Sequence, residues 1–376
     1  MKLTSIFLSL LTLASAVPQS AAPATFTRRV VYTPPSNYAD PRVLYARTAQ
    51  LPSGTLLATW ENYSPEPPKV YFPIWKSTDN GYTWSELSNV TDQGYGWGLR
   101  YQPFLYVLPE DLAGYKAGTV LLAGSSIPTD LSKTQIDLYA STDEGKTWAF
   151  VSHIAAGGEA RPTNGLTPVW EPFLMKYKNS LICYYSDQRD NATHGQTMVH
   201  QTSTDLKKWG AVIDDVVYPT YTDRPGMPTV ALLPNGKYFM AYEYGGGPAI
   251  PSPYSFPVYY KIASDAEKFG AATGISLQAT DGTIPSGSPY VVWSPVGGAN
   301  GTLVVSAHSH ADVFINKNLG EGAWTRVATG EATHYTRHLR VLNGDGGGKL
   351  LIMGGGQLPP STTNKVQITV QDISKL

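Results

Sequence analysis

Ser77-Thr78-Asp79-Asn80-Gly81-Tyr82-Thr83-Trp84 and Ser141-Thr142-Asp143-Glu144-Gly145-Lys146-Thr147-Trp148 are two copies of one turn, with six of eight residues identical. Each shared residue has a local reason. The Asp accepts hydrogen bonds from turn N–H groups, the Gly takes a positive φ, and the Trp packs between neighbouring sheets. Ser203 to Trp209 and Ser264 to Phe269 are eroded copies, and Asn316 to Trp324 is more eroded still. A calcium loop is a poor alternative, because one carboxylate supplies too few ligands.

Between these turns lies a second repeat, an apolar hairpin around a Pro, Asn or Gly turn. It occurs over Val43–Trp60, Phe104–Ala123, Phe173–Tyr185, Val230–Tyr242, Tyr290–Ala307 and Leu339–Met353. A hairpin plus a third and fourth strand makes a four-stranded blade, and radial repetition of blades makes a propeller. The expectation is an all-β fold, a six-bladed β-propeller. The last blade has no acidic turn. Its third strand is Val366–Val370, and Phe26–Tyr32 from the N-terminus is expected as its fourth strand, hiding the last sheet edge.

The chain has 376 residues, with 28 Lys and Arg against 29 Asp and Glu, a net charge of −1. That balance disfavours a nucleic-acid partner, which calls for a basic excess. Residues 1–16 read as a signal peptide: Lys2, an apolar run from Ile6 to Leu13, then Ala14-Ser15-Ala16. The run is too short to span a bilayer, which needs roughly 20 apolar residues. A secreted, extracellular protein is expected, with one propeller domain over 24–376, working as a monomer. Sequons at Asn62, Asn89, Asn191 and Asn300 fit secretion if they lie on surface turns. Cys183 is the single cysteine, so no intrachain disulfide is possible. Neither a metal nor a cofactor is expected.

Propeller geometry then limits where a site can be. Residues just before the first strand of each blade, and just after the second, converge on one funnel, opposite the acidic turns. Those positions hold Arg47 and Glu61, Arg100 and Gln102, Trp170-Glu171 and Asp187, Asp223-Arg224 and Glu243, Ser288 and His308, then Tyr335, Arg337 and His338. Asn164 and the Gly-rich loop carrying Tyr95 and Trp97 are expected on the same face, as substrate contacts with Arg47, Trp170, Asp187, His308 and Arg337. Carboxylates, arginines and aromatic rings together suit a carbohydrate. Glycoside hydrolysis needs two carboxyl groups, one protonated and one ionised. Glu171 and Glu243, on adjacent blades, are the expected pair, with Glu61 or Asp187 as substitutes.

Val169-Trp170-Glu171-Pro172-Phe173 and Ala241-Tyr242-Glu243-Tyr244-Gly245, set in a sialidase-like frame with Asp-box turns, resemble glycoside hydrolase family 93. The resemblance covers essentially the whole mature chain. It implies a retaining exo-1,5-α-L-arabinanase that releases arabinobiose from linear arabinan. By that resemblance Glu171 is the acid/base and Glu243 the nucleophile. A hydrogen bond from the Tyr335 hydroxyl to ionised Glu243 is expected to support the nucleophile. Two other readings remain open from the residues. An exo-sialidase would use Arg47, Arg224 and Arg337 on a substrate carboxylate and Tyr335 as nucleophile, although Tyr45-Ala46-Arg47-Thr48 lacks the Arg-Ile-Pro entry. A non-catalytic lectin would repeat its binding residues in every blade, and the funnel positions here differ.

Overall fold

A computed structural model describes residues 25–376. The leader reading at 1–16 lies outside them. The described chain forms six four-stranded antiparallel sheets. Blade one comprises Val43–Gln50, Leu56–Asn62, Phe72–Ser77 and Ser85–Val90. Blade two comprises Leu99–Val107, Val120–Ser126, Thr134–Ser141 and Ala149–Gly157. Blade three comprises Val169–Tyr177, Ser180–Asp187, Thr197–Ser203 and Ile213–Val216. Blade four comprises Arg224–Leu232, Tyr238–Gly245, Val258–Ala263 and the short Ile275–Ser276. Blade five comprises Tyr290–Ser294, Thr302–Ser306, Val313–Asn316 and Thr325–Val327. Blade six comprises His338–Val341, Lys349–Gly354, Val366–Asp372 and, as its outer strand, Phe26–Tyr32, which pairs antiparallel with Val366–Asp372.

The first strands of successive blades neighbour one another around a ring. Sheets therefore pack face to face, and middle strands are covered on both sides. Leu56–Asn62, Val120–Ser126, Thr134–Ser141 and Ser180–Asp187 are buried at every position. Such strands read as continuous apolar or small-residue runs rather than as alternating ones.

The acidic turns lock each blade to its neighbour. Asp143 accepts hydrogen bonds from the Thr147 amide (2.9 Å), the Thr147 hydroxyl (2.7 Å) and the Ser141 hydroxyl (2.8 Å). The Trp148 indole N–H reaches the Ser88 hydroxyl of blade one at 3.2 Å, and that hydroxyl donates back to the Gly145 carbonyl at 2.5 Å. The eroded turns are held in the same way from the preceding blade. Ser152 donates to the Leu206 carbonyl (2.6 Å), Tyr184 to Ala266 (2.7 Å) and Tyr260 to Gly320 (2.8 Å). Arg29 of the N-terminal strand closes the ring on the first turn, donating to the Tyr82 carbonyl at 2.5 Å. Asn62 departs from the expectation of surface sequons. It ends a middle strand and is buried, out of reach of a glycan in the folded chain, whereas Asn89 is exposed.

Burial works against an ionised Asp143, but its turn donors outweigh that and pull the carboxyl down to about 2. A depressed carboxyl stabilises the fold above its unfolded pKa and stops doing so as pH falls through the folded value. Asp143→Ala is expected to destabilise the protein by about 1–2 kcal/mol at pH 7, from the hydrogen bonds lost. In thermal melts its deficit against wild type should shrink as pH drops from about 4 toward 2. A deficit independent of pH would remove the carboxylate from the explanation.

Candidate active site

Six non-glycine residues at the entrance to the inner strands adopt left-handed backbone: Tyr45, Gln102, Glu171, Met227, Ser288 and Thr336, with φ between 46° and 63°. In blades one to four they sit inside a register shift between the first and second strands. Four are followed by proline: Pro103, Pro172, Pro228 and Pro289. Left-handed backbone costs a residue with a side chain about 1 kcal/mol or more. Observed strain of this kind is grounds for looking for a function.

The bend frees an N–H to point at the previous blade. The Gln102 amide donates to Glu61 Oε1 (2.9 Å), and the Glu171 amide to Gln102 Oε1 (3.2 Å). The Met227 amide donates to Glu171 Oε2 (2.9 Å), and the Ser288 amide to Glu243 Oε2 (2.7 Å). Three glutamates are thus fixed around one axis by backbone donors of the next blade. All three line a cavity of about 660 Å³, together with Trp170, Arg224, His308 and Tyr335. That volume lies within the range of small-ligand sites.

Burial raises the pKa of both Glu171 and Glu243. The charge of Glu171 pushes Glu243 up further. Two buried carboxyls that repel one another share a proton. Each carboxyl also has neighbours that favour its ionised form. Glu171 also accepts from the Ser186 hydroxyl at 2.6 Å, and Arg224 favours its ionised form. Glu243 has the Ser288 amide and the field of Arg224. The pair therefore holds one proton between its two carboxyls. Glu61 is pushed up to about 7 by burial, against hydrogen bonds from the Tyr63 hydroxyl (2.7 Å) and the Gln102 amide. Among the described residues, no group of three His, Cys, Asp or Glu side chains is arranged to hold a metal ion.

No family model matches the chain, and no curated protein does. Solved structures do. The α-L-arabinanase of Penicillium chrysogenum, solved with arabinobiose, is 60% identical, with a TM-score of 0.92 over 94% of this chain and 100% of that one. The GH93 α-L-arabinofuranosidase of Fusarium graminearum, also solved with arabinobiose, is 56% identical, with a TM-score of 0.92 over 94% of this chain and 99% of that one. The chain belongs to glycoside hydrolase family 93. A sialidase of Streptococcus pneumoniae shares the fold alone, at 9% identity and a TM-score of 0.59 over 93% of this chain and 71% of that one.

Within this family 93 glycoside hydrolase, the expected site residues separate into three groups. Glu171, Glu243, Trp170, His308 and Tyr335 line the cavity. Trp170 is fixed there by its indole N–H to Gln188 Oε1 at 2.9 Å. Asn164 acts one step back, accepting from Arg224 Nη1 at 2.5 Å. The others are elsewhere. Arg337 is fully buried and donates to the carbonyls of His310, Ala311 and Asp312 and to Thr329, so it clasps a loop. Asp187 is neutralised by Arg189 at 2.5 Å. Arg47 lies beneath the cavity, off its lining.

The Tyr95–Trp97 loop does not overhang the funnel. Asp92 ties down its amides, and Tyr95 stacks on Trp97 (4.3 Å) and on His153 of the outer strand of blade two (4.5 Å), away from the cavity lining. The Tyr335 hydroxyl donates to Met227 Sδ at 3.7 Å, not to Glu243, whose donor is the Ser288 amide. An arginine trio does not form, since of Arg47, Arg224 and Arg337 only Arg224 lines the cavity. Tyr63, Tyr101, Ser186 and Met227 were not foreseen. The repeated residue-Pro step after Gln102, Glu171, Met227 and Ser288 is the signal that marks the bend.

Gly226 sits where the bend passes closest to the pair. A Cβ there would stand 2.6 Å from Gln196 Nε2, 3.2 Å from Ser186 Oγ and 3.4 Å from Glu171 Oε2. Gly226→Ala is expected to fold and to lose on the order of 100-fold in kcat, the effect of a small misplacement of a reacting group. Steady-state kinetics and a melting curve check this. Full activity would show that Glu171 tolerates displacement.

Proposed function

We propose that the protein is a secreted retaining exo-arabinanase that releases arabinobiose from linear α-1,5-L-arabinan, with Glu171 and Glu243 as the reacting carboxyls. The observation that carries the reading is the pair itself: two half-buried glutamates on adjacent blades, coupled by charge, in the cavity of a chain 60% identical to an arabinanase solved with arabinobiose. A cavity of about 660 Å³ suits a few sugar rings better than a long open strand of polymer.

In the double displacement a Glu243 oxygen attacks the anomeric carbon while Glu171 gives its proton to the departing glycosidic oxygen. That step breaks the glycosidic bond and forms an ester to Glu243. Glu171, now ionised, takes a proton from water, whose oxygen attacks the same carbon and releases Glu243 as carboxylate. This division of roles carries a requirement. In the first step the shared proton has to be on Glu171, with Glu243 ionised. Glu171 can keep accepting from Ser186 and Met227 through Oε2 while Oε1 carries the proton.

Chromatography of digested linear arabinan is expected to show arabinobiose from the earliest times. A ladder of long oligomers would mean endo action, and an untouched polymer would remove arabinan as the substrate. Azide assigns the roles. Glu243→Gly with azide should give a glycosyl azide of inverted configuration, and Glu171→Ala with azide one of retained configuration. The opposite pattern exchanges the two residues, and near wild-type activity in both variants removes the pair.

A further inference from the structure

We propose that Arg47 is a positioning residue for the catalytic pair: from below the substrate cavity, its buried and unpaired guanidinium supplies the positive charge that answers the single negative charge shared by Glu171 and Glu243. The proposal rests on the reading of those two glutamates as the reacting groups.

Arg47 follows the left-handed Tyr45 on the inner strand of blade one and is 4% exposed. A guanidinium has five N–H donors. Nη1 donates to the adjacent Ala46 carbonyl at 3.0 Å, and Nε has no partner. None of the ion pairs among the described residues includes Arg47, although Arg189 and Arg100 both have a carboxylate. The plane lies over the Tyr45 ring at 4.0 Å and faces Tyr290 at 5.3 Å. Aromatic faces attract a cation. They do not replace the water it has lost, so a buried charge of this kind calls for a counter-charge.

The counter-charge lies across a small internal space. Arg47, Glu171, Met227 and Tyr290 border a small, partly open space of about 10 Å³. That is about the size of one water molecule, and Arg47 and Glu171 both line it, close enough for the Arg47 charge to favour ionised Glu171. The groups facing Arg47 can be taken element by element. Blade one offers Tyr45 and Glu61, blade three Glu171, and blade five Tyr290. Blade six offers His338, which burial and the two arginines keep neutral, and Arg340, which is occupied with Thr48. Blade four adds Glu243 and Arg224 beyond Glu171. The carboxylates of this set are Glu61, Glu171 and Glu243, and Arg47 favours the ionised forms of Glu61 and Glu171.

The charge count explains why a fixed cation belongs there. In the resting site the pair holds one proton and one negative charge. In the glycosyl-enzyme, Glu243 is a neutral ester and Glu171 carries that negative charge. The total does not change through the cycle, and Arg47 answers it without touching the sugar. The sign of the test follows. Removing a cation disfavours the ionised carboxylate, so the Glu171 pKa rises and its proton persists to higher pH.

The pH midpoint of the buried carboxylic-acid infrared band, assigned by its loss in Glu171→Gln, should rise by about one pH unit in Arg47→Met, the lower end of what a neighbouring opposite charge does. Arg47→Lys should return most of the shift, because it keeps the charge and not the fork. Where Arg47→Met does not fold, Arg47→Gln takes its place. An unchanged midpoint in the neutral variant overturns the proposal, as does an Arg47→Lys midpoint that moves with it. The band is read without substrate, so this outcome is separate from whether arabinan is cleaved. On a cleaved substrate, the alkaline limb of kcat should move up with the band while KM stays in place, since Arg47 lines no part of the substrate cavity.

Discussion

The amide that a left-handed residue of one blade donates to an acid of the blade before it is the contact on which the site depends. Glu61, Glu171 and Glu243 all receive one. A carboxylate held only by other side chains can follow their rotamers. One held by backbone is as rigid as the inner strand that carries the donor, and rigid placement is what a reacting pair requires. The register shifts in blades one to four are therefore parts of the site, built into the sheets. Their strain persists because each bent strand is packed between two others and cannot relax without breaking both contacts.

The acidic turns perform the complementary task on the opposite face. Each binds its own Asp or Asn cage and is gripped by a donor from the preceding blade, so blade spacing is fixed at the rim while the amides fix it near the axis. Erosion of the motif tracks this need. Asn316 stands where the Ser of the first turn does: Ser77 Oγ accepts from the Gly81 amide at 2.9 Å, and Asn316 Oδ1 from the Asn318 and Gly320 amides at 2.8 Å. What is kept is the grip on Gly320 by Tyr260, not the letters of the motif. Fold and chemistry are thus separable. A sialidase at 9% identity shares the frame, while the residues at the bends set what the cavity can do.

The frame was legible because its signals are local. A turn needs its Asp and Gly within eight residues, and a hairpin needs apolar runs on both sides. The cavity glutamates were legible for a related reason: strand phase places Glu171 and Glu243 at the funnel. Phase says where a residue starts and not where its side chain finishes. Arg337 has the right phase and turns into a cage of carbonyls, and Asp187 has it and meets Arg189. The Tyr95–Trp97 loop failed differently. Its Gly-rich look hid Asp92, whose carboxylate collects its amides and folds the loop onto His153. Such partners are distant in sequence, and no local pattern names them.

Arg47 joins these arguments. Its phase pointed to the substrate, and the left-handed step at Tyr45 carries it beneath the glutamates instead. The same device that aims amides at Glu61, Glu171 and Glu243 thus places a cation behind them. Arg224 is the other cation near the pair, but it lines the cavity, where a sugar will alter its solvation. A charge outside the cavity has no such dependence. Two coupled carboxyls that share one negative charge are best served by a counter-charge whose surroundings a bound sugar does not change.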